Sequence, residues 1–516
     1  MKGLMLFRSE NKHIWTHSII LLVIFLFALY IRFPNINRPL SFHHEWLTAH
    51  MLITMQSWDA KGIAHYSFSP VFNFSNPEDK YPIDFPGAVF DSRGNMYYLS
   101  YGPLGFWLPY FIFKTIGVQP DIVPLQIFNM LIHFIGAAFV YFTILLFTLR
   151  RFSRRAYLPS LLGASGYIFT AQGLWFGSNV YFSDMLVQLL WIIATYLILR
   201  LAEKKSAIPP LQLALISVLV GLMIFTEWLG VFYAFVVALV ALFYFRSIVL
   251  FLSVALSSLA AGGFIVGIYS SIAGFDKLRA SMTEKYMIRN SSMDAGGAWG
   301  AIISPSTYEA IANHYIVGYY PVLLLVFLFG VSAIFIHKKV ASLLSREELL
   351  FVVLVGIPIV MHHLAFSNFT IIHDFSVFKG SFLLAVLFGL FFAHVAEHIQ
   401  TNKRLLWTTA VFSVVFILAT SYQQYSRDNP PDLRVNTYYT QIGQAIRETA
   451  QPDETVFMQG GYFNPMLTFS AKRSILNAGS VEEAQMLLKQ RGSKKGVFYI
   501  FDPSGNLVEM ERITAQ

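Results

Sequence analysis

Long apolar runs alternate with short polar or basic turns along most of the chain, from residue 19 to residue 420. Such runs cross a membrane as α-helices, because a helix satisfies its own backbone hydrogen bonds and hydrocarbon offers no substitute for them. The pattern therefore predicts a polytopic α-helical membrane protein with about eleven transmembrane helices. They cover 19–31, 122–149, 158–175, 185–201, 211–225, 231–245, 248–272, 315–336, 349–366, 381–396 and 405–420.

The first loop, 33–121, is longer and more mixed in composition than a simple turn. Residues 38–59 carry apolar side chains at helical spacing together with titratable groups, which predicts an interfacial helix at the membrane surface. Residues 66–101 are polar and rich in Pro, Gly, Asn and Asp, as in a folded external loop. Residues 101–117 are apolar but short and interrupted by two prolines, so we expect them to lie along the membrane or to enter it partway.

After residue 421 the composition becomes that of a soluble domain. Alternating strands and helices predict a small α/β domain over 422–516, which follows a membrane domain over 1–421. The periodicity predicts a helix, a strand, a helix and a strand, in that order, over 437–450, 455–459, 481–490 and 496–501.

Composition supports the membrane assignment and excludes several classes of function. Of the 516 residues, 55% are hydrophobic and 13% are charged, which is too apolar for a soluble protein of this length. Cysteine is absent, so disulfides, thiolate metal sites and a cysteine nucleophile are excluded. The net charge of +8 comes from Lys and Arg in short clusters between apolar runs, a distribution that the positive-inside rule explains. Nucleic acid is therefore not an expected partner.

The basic residues also predict the orientation of the chain. Lys2, Arg8 and Lys12 precede the first apolar run, which predicts a cytoplasmic N-terminus. The basic turn RRFSRR at 150–155 is the strongest cytoplasmic marker. We therefore expect a multi-pass protein of the cell inner (plasma) membrane, with loop 33–121 and the C-terminal domain on the periplasmic or extracellular side.

Four polar clusters lie in turns or at the ends of predicted spans. The orientation derived from the basic residues places all four on the external face, whereas turn residues without a common role would divide about equally between the two faces. Their convergence predicts one external active site. The clusters are HHEW at 43–46, SNVYFSD at 178–184, TEW at 226–228 and HDFSVFK at 373–379.

A basic segment lies on the face where the positive-inside rule disfavours positive charge. It contains Lys277, Arg279, Lys285 and Arg289. Charges at this position predict contact with an anionic ligand such as a lipid phosphate. The structural alternative is a loop helix whose charges are solvated.

The acidic clusters have structural alternatives too. Glu45 and His44 would anchor an interfacial helix through headgroup contacts, but a carboxylate beside two imidazoles is a costly anchor, so we favour a functional role. Asp184 would stabilise the start of the helix that follows it. Glu227, beside a tryptophan, fits an interfacial belt. His373, Asp374 and Lys379 would pair with one another.

Carboxylates and cations at a membrane surface suit glycosyl transfer from a lipid-linked donor. A carboxylate takes the proton from an acceptor hydroxyl, and cations stabilise the phosphate leaving group as negative charge develops on it. The sequence contains neither a Gly-rich phosphate loop nor an H-E-x-x-H metal motif, so cytoplasmic nucleotide chemistry has no support.

The chain resembles the GT-C class of membrane glycosyltransferases, which includes dolichyl-phosphate-mannose protein mannosyltransferases and the aminoarabinose transferases of lipid A. The resemblance rests on the acidic motif of the first loop, the segment YGPLGFW at 101–107, the basic turn at 150–155 and Asp184 as a second external acid. A small external C-terminal domain also fits this class. Class members usually carry Asp-Glu where this chain has His44-Glu45.

The resemblance implies a polyprenyl-phosphate sugar donor, inversion of the anomeric centre and, in some branches, a divalent cation such as Mg²⁺ or Mn²⁺. By position, Glu45 matches the second acid of the motif and His44 replaces the first. Glu45, Asp184 and Asp59 are the resulting candidates for the base. His44 assists the base or, with Glu45, binds a metal.

We therefore expect a glycosyltransferase that moves a sugar from a polyprenyl-phosphate donor to a lipid, glycan or protein acceptor among the membrane lipids. A transporter or flippase of lipid-linked saccharides is the main alternative, but the sequence shows no repeat and its polar residues lie at span ends. A scaffold whose C-terminal domain binds partners is a third interpretation. The expected catalytic residues are Glu45, His44 and Asp184, and the expected substrate-binding residues are Asp59, Lys277, Arg279, Lys285, Arg289, His373, Asp374 and Lys379.

Overall fold

The computed structural model describes residues 2–41, 43–80, 86–152, 157–204, 208–290, 297–337, 344–430, 437–460 and 463–515. In this part of the chain, eight helices are long and apolar enough to cross a membrane, which confirms a multi-pass membrane protein. They are α1 (Lys2–Arg32), α4 (Ile122–Phe152), α7 (Ser183–Lys204), α10 (Ile248–Ala273), α13 (Pro305–His337), α14 (Arg346–Ala365), α16 (Gly380–Ile399) and α17 (Lys403–Asp428).

The remaining predicted spans correspond to shorter helices. The predicted span 158–175 is divided into α5 (Tyr157–Phe169) and α6 (Ala171–Phe176), because Thr170 leaves the helical conformation and its side chain accepts a hydrogen bond from the Gly173 amide. The other two are α8 (Pro210–Ile224) and α9 (Leu229–Phe243). Residues 153–155 of the predicted basic turn lie outside the described residues.

The first loop contains α2 (Glu45–Lys61), the hairpin of β1 (Val89–Phe90) and β2 (Met96–Tyr97), and α3 (Leu104–Ile116). The helix predicted within 38–59 is confirmed as α2, and its position at a membrane surface stays a prediction. Protein encloses α2 on nearly all sides, and 12 of its 17 residues are buried. The helix ends at Gly62, whose φ of 84° favours glycine.

Three shorter helices lie in the segments that connect the spans. They are α11 (Phe275–Arg289), which carries the basic segment, α12 (Gly297–Ile303) and α15 (Ser367–Ile372). A 3₁₀ turn, Asp374–Lys379, joins α15 to α16. The cluster HDFSVFK is therefore held between two helices that pack into the bundle.

The C-terminal domain is a small α/β unit, as predicted. The elements are α18 (Tyr438–Thr449), β3 (Thr455–Met458), α19 (Pro465–Ala471), β4 (Ile475–Asn477), α20 (Val481–Arg491), β5 (Lys495–Phe501) and β6 (Leu507–Thr514). The sheet has the order β4-β3-β5-β6, in which β3 runs parallel to β4 and β5 while β6 runs antiparallel to β5. The sequence patterns missed α19, β4 and β6, which are short or exposed.

This domain is attached to the first loop through polar contacts. Arg473 forms an ion pair of 3.0 Å with the fully buried Asp79. The Lys472 ammonium donates to Gln56 of α2 at 2.7 Å, and Thr455 donates to Glu78 at 2.7 Å. The predicted domain boundary at 421 falls within α17, which continues to Asp428.

Candidate functional site

The residues that precede α2 are fixed by a buried ion pair. A carboxylate oxygen of Glu45 lies 2.8 Å from the Arg38 guanidinium, and both side chains are 0% exposed. The other carboxylate oxygen accepts from the Ser41 amide at 3.0 Å. Arg38 also donates to the Pro430 carbonyl at 3.2 Å and lies over the Trp175 ring. In this structure, Glu45 therefore joins the start of α2 to the segment that leads into the C-terminal domain.

Two histidines and an aspartate meet where α2 begins. His44 adopts a left-handed backbone conformation, with φ at 58°, directly before the helix. Its Nε2 atom lies 2.9 Å from an oxygen of Asp374, and the Nε2 atom of His43 lies 3.1 Å from the other oxygen. The clusters at 43–46 and 373–379 are thus in direct contact, which agrees with their predicted convergence on one site.

Further hydrogen bonds orient this His43–His44–Asp374 cluster. Gln172 of α6 donates to Asp374 at 3.1 Å, and the Trp46 indole donates to Nδ1 of His44 at 3.3 Å. Because Nδ1 of His44 accepts, its Nε2 atom carries the hydrogen and donates to Asp374. Trp46 therefore selects the tautomer of His44.

The surroundings shift the pKa values of the two histidines in opposite directions. Burial lowers the pKa of His44, although its contact with Asp374 opposes that shift. Burial acts in the same direction on His43, but there the hydrogen bond to Asp374 prevails and the pKa is raised. His44 is consequently a neutral imidazole at neutral pH.

A buried ion pair and a buried carboxylate–histidine hydrogen bond lie among the helices of the bundle. Asp184, at the start of α7, is paired with Lys379, and each side chain is only 1% exposed. Glu227 accepts at 3.2 Å from His362 of α14 and also accepts from the Leu229 amide at the start of α9. Lys379 therefore pairs with Asp184 rather than with the neighbouring Asp374. These contacts bring the clusters at 178–184 and 373–379 together.

A cavity of about 410 Å³ lies beside the His43–His44–Asp374 cluster. Residues of α2, α11, α15 and the C-terminal domain line it, together with the segment that follows β2. Aromatic rings cover much of it, and its titratable lining groups are two cations, two histidines and two tyrosines. The residues that matter below are Trp46, His50, Tyr98, Tyr101, Lys285, Arg289, Phe369, His373, Phe463 and Asn464.

The two cations of the cavity are held by aromatic side chains. The Arg289 guanidinium donates to the Tyr98 hydroxyl at 3.0 Å and lies 4.9 Å from the centre of the Tyr101 ring. The Lys285 ammonium lies 4.7 Å from the centre of the Tyr98 ring, and burial lowers its pKa. Within the described residues, Arg289 is buried and forms no salt bridge with a carboxylate. Its charge is therefore available to an anion in the cavity.

The predicted site residues fall into three groups. Lys285, Arg289 and His373 line the cavity, while His44 and Asp374 lie beside it. Glu45, Asp184 and Lys379 are buried, and each forms an ion pair. Lys277 and Arg279 are exposed on α11, and Asp59 pairs with Lys114 at 2.7 Å towards the other end of α2. The structure therefore does not bring these last three residues to the cavity.

Several residues of the site had no predicted role. His43 stands beside His44 in the sequence but was not assigned, and its contact with Asp374 spans 331 residues. His50 has the spacing of a core residue in an apolar helix. Phe463 and Asn464 belong to the C-terminal domain, and no local signal links them to the membrane domain.

Comparisons with solved structures identify the fold. The chain is similar to the archaeal oligosaccharyltransferase AglB from Archaeoglobus fulgidus in complex with an inhibitory peptide and a dolichol-phosphate, at 13% identity over 95% of this chain and 70% of that chain, with a TM-score of 0.56. It is also similar to ArnT from Cupriavidus metallidurans bound to undecaprenyl phosphate, at 11% identity over 95% of this chain and 93% of that chain, with a TM-score of 0.55. A further structure of the A. fulgidus enzyme contains Zn and sulfate, at 13% identity over 93% of this chain and 68% of that chain, with a TM-score of 0.54.

No family model matches the sequence, and no curated protein matches it either. The structural likenesses extend over nearly the whole chain at low sequence identity. They therefore show that this chain has the GT-C fold, as the sequence resemblance predicts.

Proposed function

We propose that this chain is a glycosyltransferase that moves a sugar from a polyprenyl-phosphate donor to a lipid, glycan or protein acceptor at the external face of the membrane. The observation that carries the proposal is the buried Arg289 guanidinium, which faces the cavity without a carboxylate partner in the described part of the chain. Two structural neighbours are complexes with polyprenyl phosphates. The transporter alternative has no comparable support.

A phosphate is the ligand that best suits this wall of the cavity. A guanidinium binds phosphate oxygens through two parallel hydrogen bonds, and a nearby ammonium adds a compact second charge. Arg289 and Lys285 provide this pair, and the rings of Tyr98 and Tyr101 keep both groups away from water. During transfer, these cations would stabilise the charge that develops on the leaving phosphate.

Asp374 is our candidate for the carboxylate that accepts the proton of the acceptor. Its side chain is 16% exposed, whereas those of Glu45 and Asp184 are closed off by their partners. In a single displacement, the acceptor oxygen bonds to the anomeric carbon and its proton passes to Asp374. The bond from sugar carbon to phosphate oxygen breaks, and its electron pair leaves with the phosphate. Inversion follows from a displacement of this kind.

Glu45 and Asp184, which the sequence predicts to be catalytic, have a positioning role in this proposal. The carboxylate of Glu45 would have to leave Arg38 before it could accept a proton, and that of Asp184 would have to leave Lys379. Separating a buried ion pair costs about 3 to 5 kcal/mol. We therefore infer that both acids position the site rather than react.

A divalent cation fits the site only in part. Donor atoms of His43, His44 and Asp374 lie within 4.8 Å of one another, and two imidazoles with a carboxylate favour Zn²⁺ over Mg²⁺. Glu45 is turned away from this group towards Arg38. The Trp46 hydrogen bond, however, leaves a hydrogen on Nε2 of His44, where a metal would need a lone pair. No step of the proposed reaction depends on a metal.

Consumption of a lipid-linked donor tests the proposal. The purified full-length chain should release undecaprenyl phosphate from at least one undecaprenyl-phosphate hexose, and Asp374→Asn should lower that rate by about 100-fold or more. Asp453→Asn is the matched control, because Asp453 is an exposed acid of the C-terminal domain. An equal rate in wild type and Asp374→Asn would refute the role of Asp374. If wild type consumes none of the undecaprenyl-phosphate hexoses tested, the proposed function is refuted.

A further inference from the structure

His50 is a buried histidine of α2 that lines the cavity and has no assigned role. Its side chain is only 1% exposed, and neither ring nitrogen has a hydrogen-bond partner among the residues that the structure describes. Most buried polar groups in proteins are hydrogen-bonded, because an unpaired one loses its hydration without compensation. A buried imidazole at a cavity wall therefore indicates a ligand that completes its hydrogen bonds.

Aromatic rings fix the imidazole in this position. It stacks on Phe72 with ring centres 3.7 Å apart, and the Phe463 ring lies 6.0 Å away in a nearly parallel orientation. Burial lowers the pKa of His50 well below its ordinary value, and the charge of Lys285 lowers it further. The neutral ring offers one donor and one acceptor, the combination that a hydroxyl group matches.

The lining of the cavity combines cations with uncharged groups. Arg289 and Lys285 are the cations, and His50, Phe463 and Asn464 are among the uncharged groups. A volume of about 410 Å³ falls within the range of small-molecule pockets, which combine apolar walls with a few placed polar groups. A phosphate linked to a ring that carries hydroxyl groups would match this lining, because the phosphate is anionic and the ring is uncharged.

The C-terminal domain contributes part of the uncharged lining. Phe463 and Asn464 precede α19, and α19 packs on α2, the helix that carries His50. Lys472, at the end of α19, donates to Gln56 of α2 at 2.7 Å. The wall that faces His50 thus depends on how this domain is attached to the first loop.

We infer that His50 and Phe463 form the subsite for the monosaccharide ring of the donor, in which His50 hydrogen-bonds a ring hydroxyl and Phe463 covers the apolar face of the sugar. This inference rests on the proposed function and identifies the residues of the cavity that distinguish one sugar from another. The C-terminal domain is then a specificity element. Sites built to hydrogen-bond a hydroxyl discriminate strongly against ligands that lack it, because their buried polar groups are otherwise left unpaired.

Binding of undecaprenyl phosphate, with and without a sugar, tests this subsite. The full-length protein is titrated with undecaprenyl phosphate and with its glucose, mannose, galactose and N-acetylglucosamine derivatives. We expect at least one sugar to raise the affinity of wild type by about tenfold over the bare lipid phosphate. His50→Phe keeps the stacking on Phe72 but removes both nitrogens, so it should abolish this gain and leave the affinity for the bare lipid phosphate unchanged.

Two further variants test whether the effect is specific to this subsite. Phe463→Ala should reduce the sugar-dependent gain, whereas His65→Phe, at an exposed histidine of the same loop, should leave it intact. Unchanged affinity for undecaprenyl phosphate in each variant shows that the protein is folded. If a sugar still raises the affinity of His50→Phe over that for the bare lipid phosphate, the proposed subsite is overturned. It is also overturned if wild type binds undecaprenyl phosphate and none of the four sugars raises its affinity. A wild type that does not bind undecaprenyl phosphate at all would overturn the proposed function together with the subsite.

Discussion

The Arg289 guanidinium donates a hydrogen bond of 3.0 Å to the Tyr98 hydroxyl at the wall of the cavity. Arg289 ends α11 and Tyr98 follows β2, so the contact joins two segments outside the predicted spans that are 191 residues apart in the chain. The phenol orients the guanidinium without neutralising it. The cavity consequently retains positive charge at the place where we propose that the donor phosphate binds.

Replacing Arg289 should weaken phosphate binding specifically. Arg289→Met preserves most of the side-chain volume and removes the charge, and hydrogen bonds to charged groups contribute about 1.5 to 3 kcal/mol. We expect affinity for undecaprenyl phosphate to fall by about 10- to 100-fold in a direct binding titration. Arg279→Met, on the exposed side of the same helix, is the matched control and should bind as wild type does. Equal affinities in both variants would show that the phosphate binds elsewhere.

Glu45→Gln should act on stability more than on chemistry. The substitution leaves Arg38 buried without its counter-charge, which costs about 3 kcal/mol or more. We expect a lower unfolding temperature in detergent, with donor consumption per folded molecule largely retained. The double variant Arg38→Met with Glu45→Leu should recover part of the loss, because neither charge then remains buried. A Glu45→Gln protein with normal stability and no activity would instead support Glu45 as the base.

The attachment of the C-terminal domain should depend on Asp79 and Arg473. Removing the carboxylate in Asp79→Ala leaves Arg473 partly buried without its partner, and the interface should lose about 3 kcal/mol. Hydrogen exchange should then increase in α19, and donor affinity should fall because the cavity loses a wall. The surface pair Asp453 and Lys495 supplies the control, since Asp453→Ala removes an exposed ion pair that contributes about 1 kcal/mol or less. Similar exchange in the two variants would contradict this role of the Asp79 pair.

Trp46 should control whether the His43–His44–Asp374 cluster binds zinc. In wild type the indole N–H occupies Nδ1 of His44, and the hydrogen on Nε2 blocks coordination by that atom. Trp46→Phe removes this donor, so we expect the Zn²⁺ affinity of the full chain to rise by about tenfold. Calorimetric titration with Zn²⁺ measures the change, and His44→Ala in the same background should reverse it. Tight Zn²⁺ binding by wild type, with no gain in Trp46→Phe, would show that the tautomer is not the barrier.

Hydrophobicity made the fold predictable to a large extent, because hydrocarbon admits few backbone structures. The basic turns gave an orientation that brought the clusters containing His44, Asp184 and Asp374 to one face, and their contacts confirm this convergence. The pairing of these groups was not predictable. Whether Lys379 meets Asp184 or Asp374 depends on the turn between α15 and α16, and no local pattern encodes that choice.

The cavity was the feature of the protein that the sequence predicted least well. Lys285 and Arg289 were identified because their charge contradicts the positive-inside rule, but Lys277 and Arg279 share that property and lie on the exposed side of the helix. Helical spacing alone does not show which side of α11 faces a partner. The contribution of Phe463 depends on how two domains pack, which is a property of tertiary structure.

The most direct measurement is an experimental density map of the full-length protein with undecaprenyl phosphate bound. The account predicts phosphate density in the cavity, within hydrogen-bonding distance of the Arg289 guanidinium and close to the Lys285 ammonium. A phosphate bound at another surface, with the cavity beside Arg289 left without lipid density at saturating ligand, would contradict it.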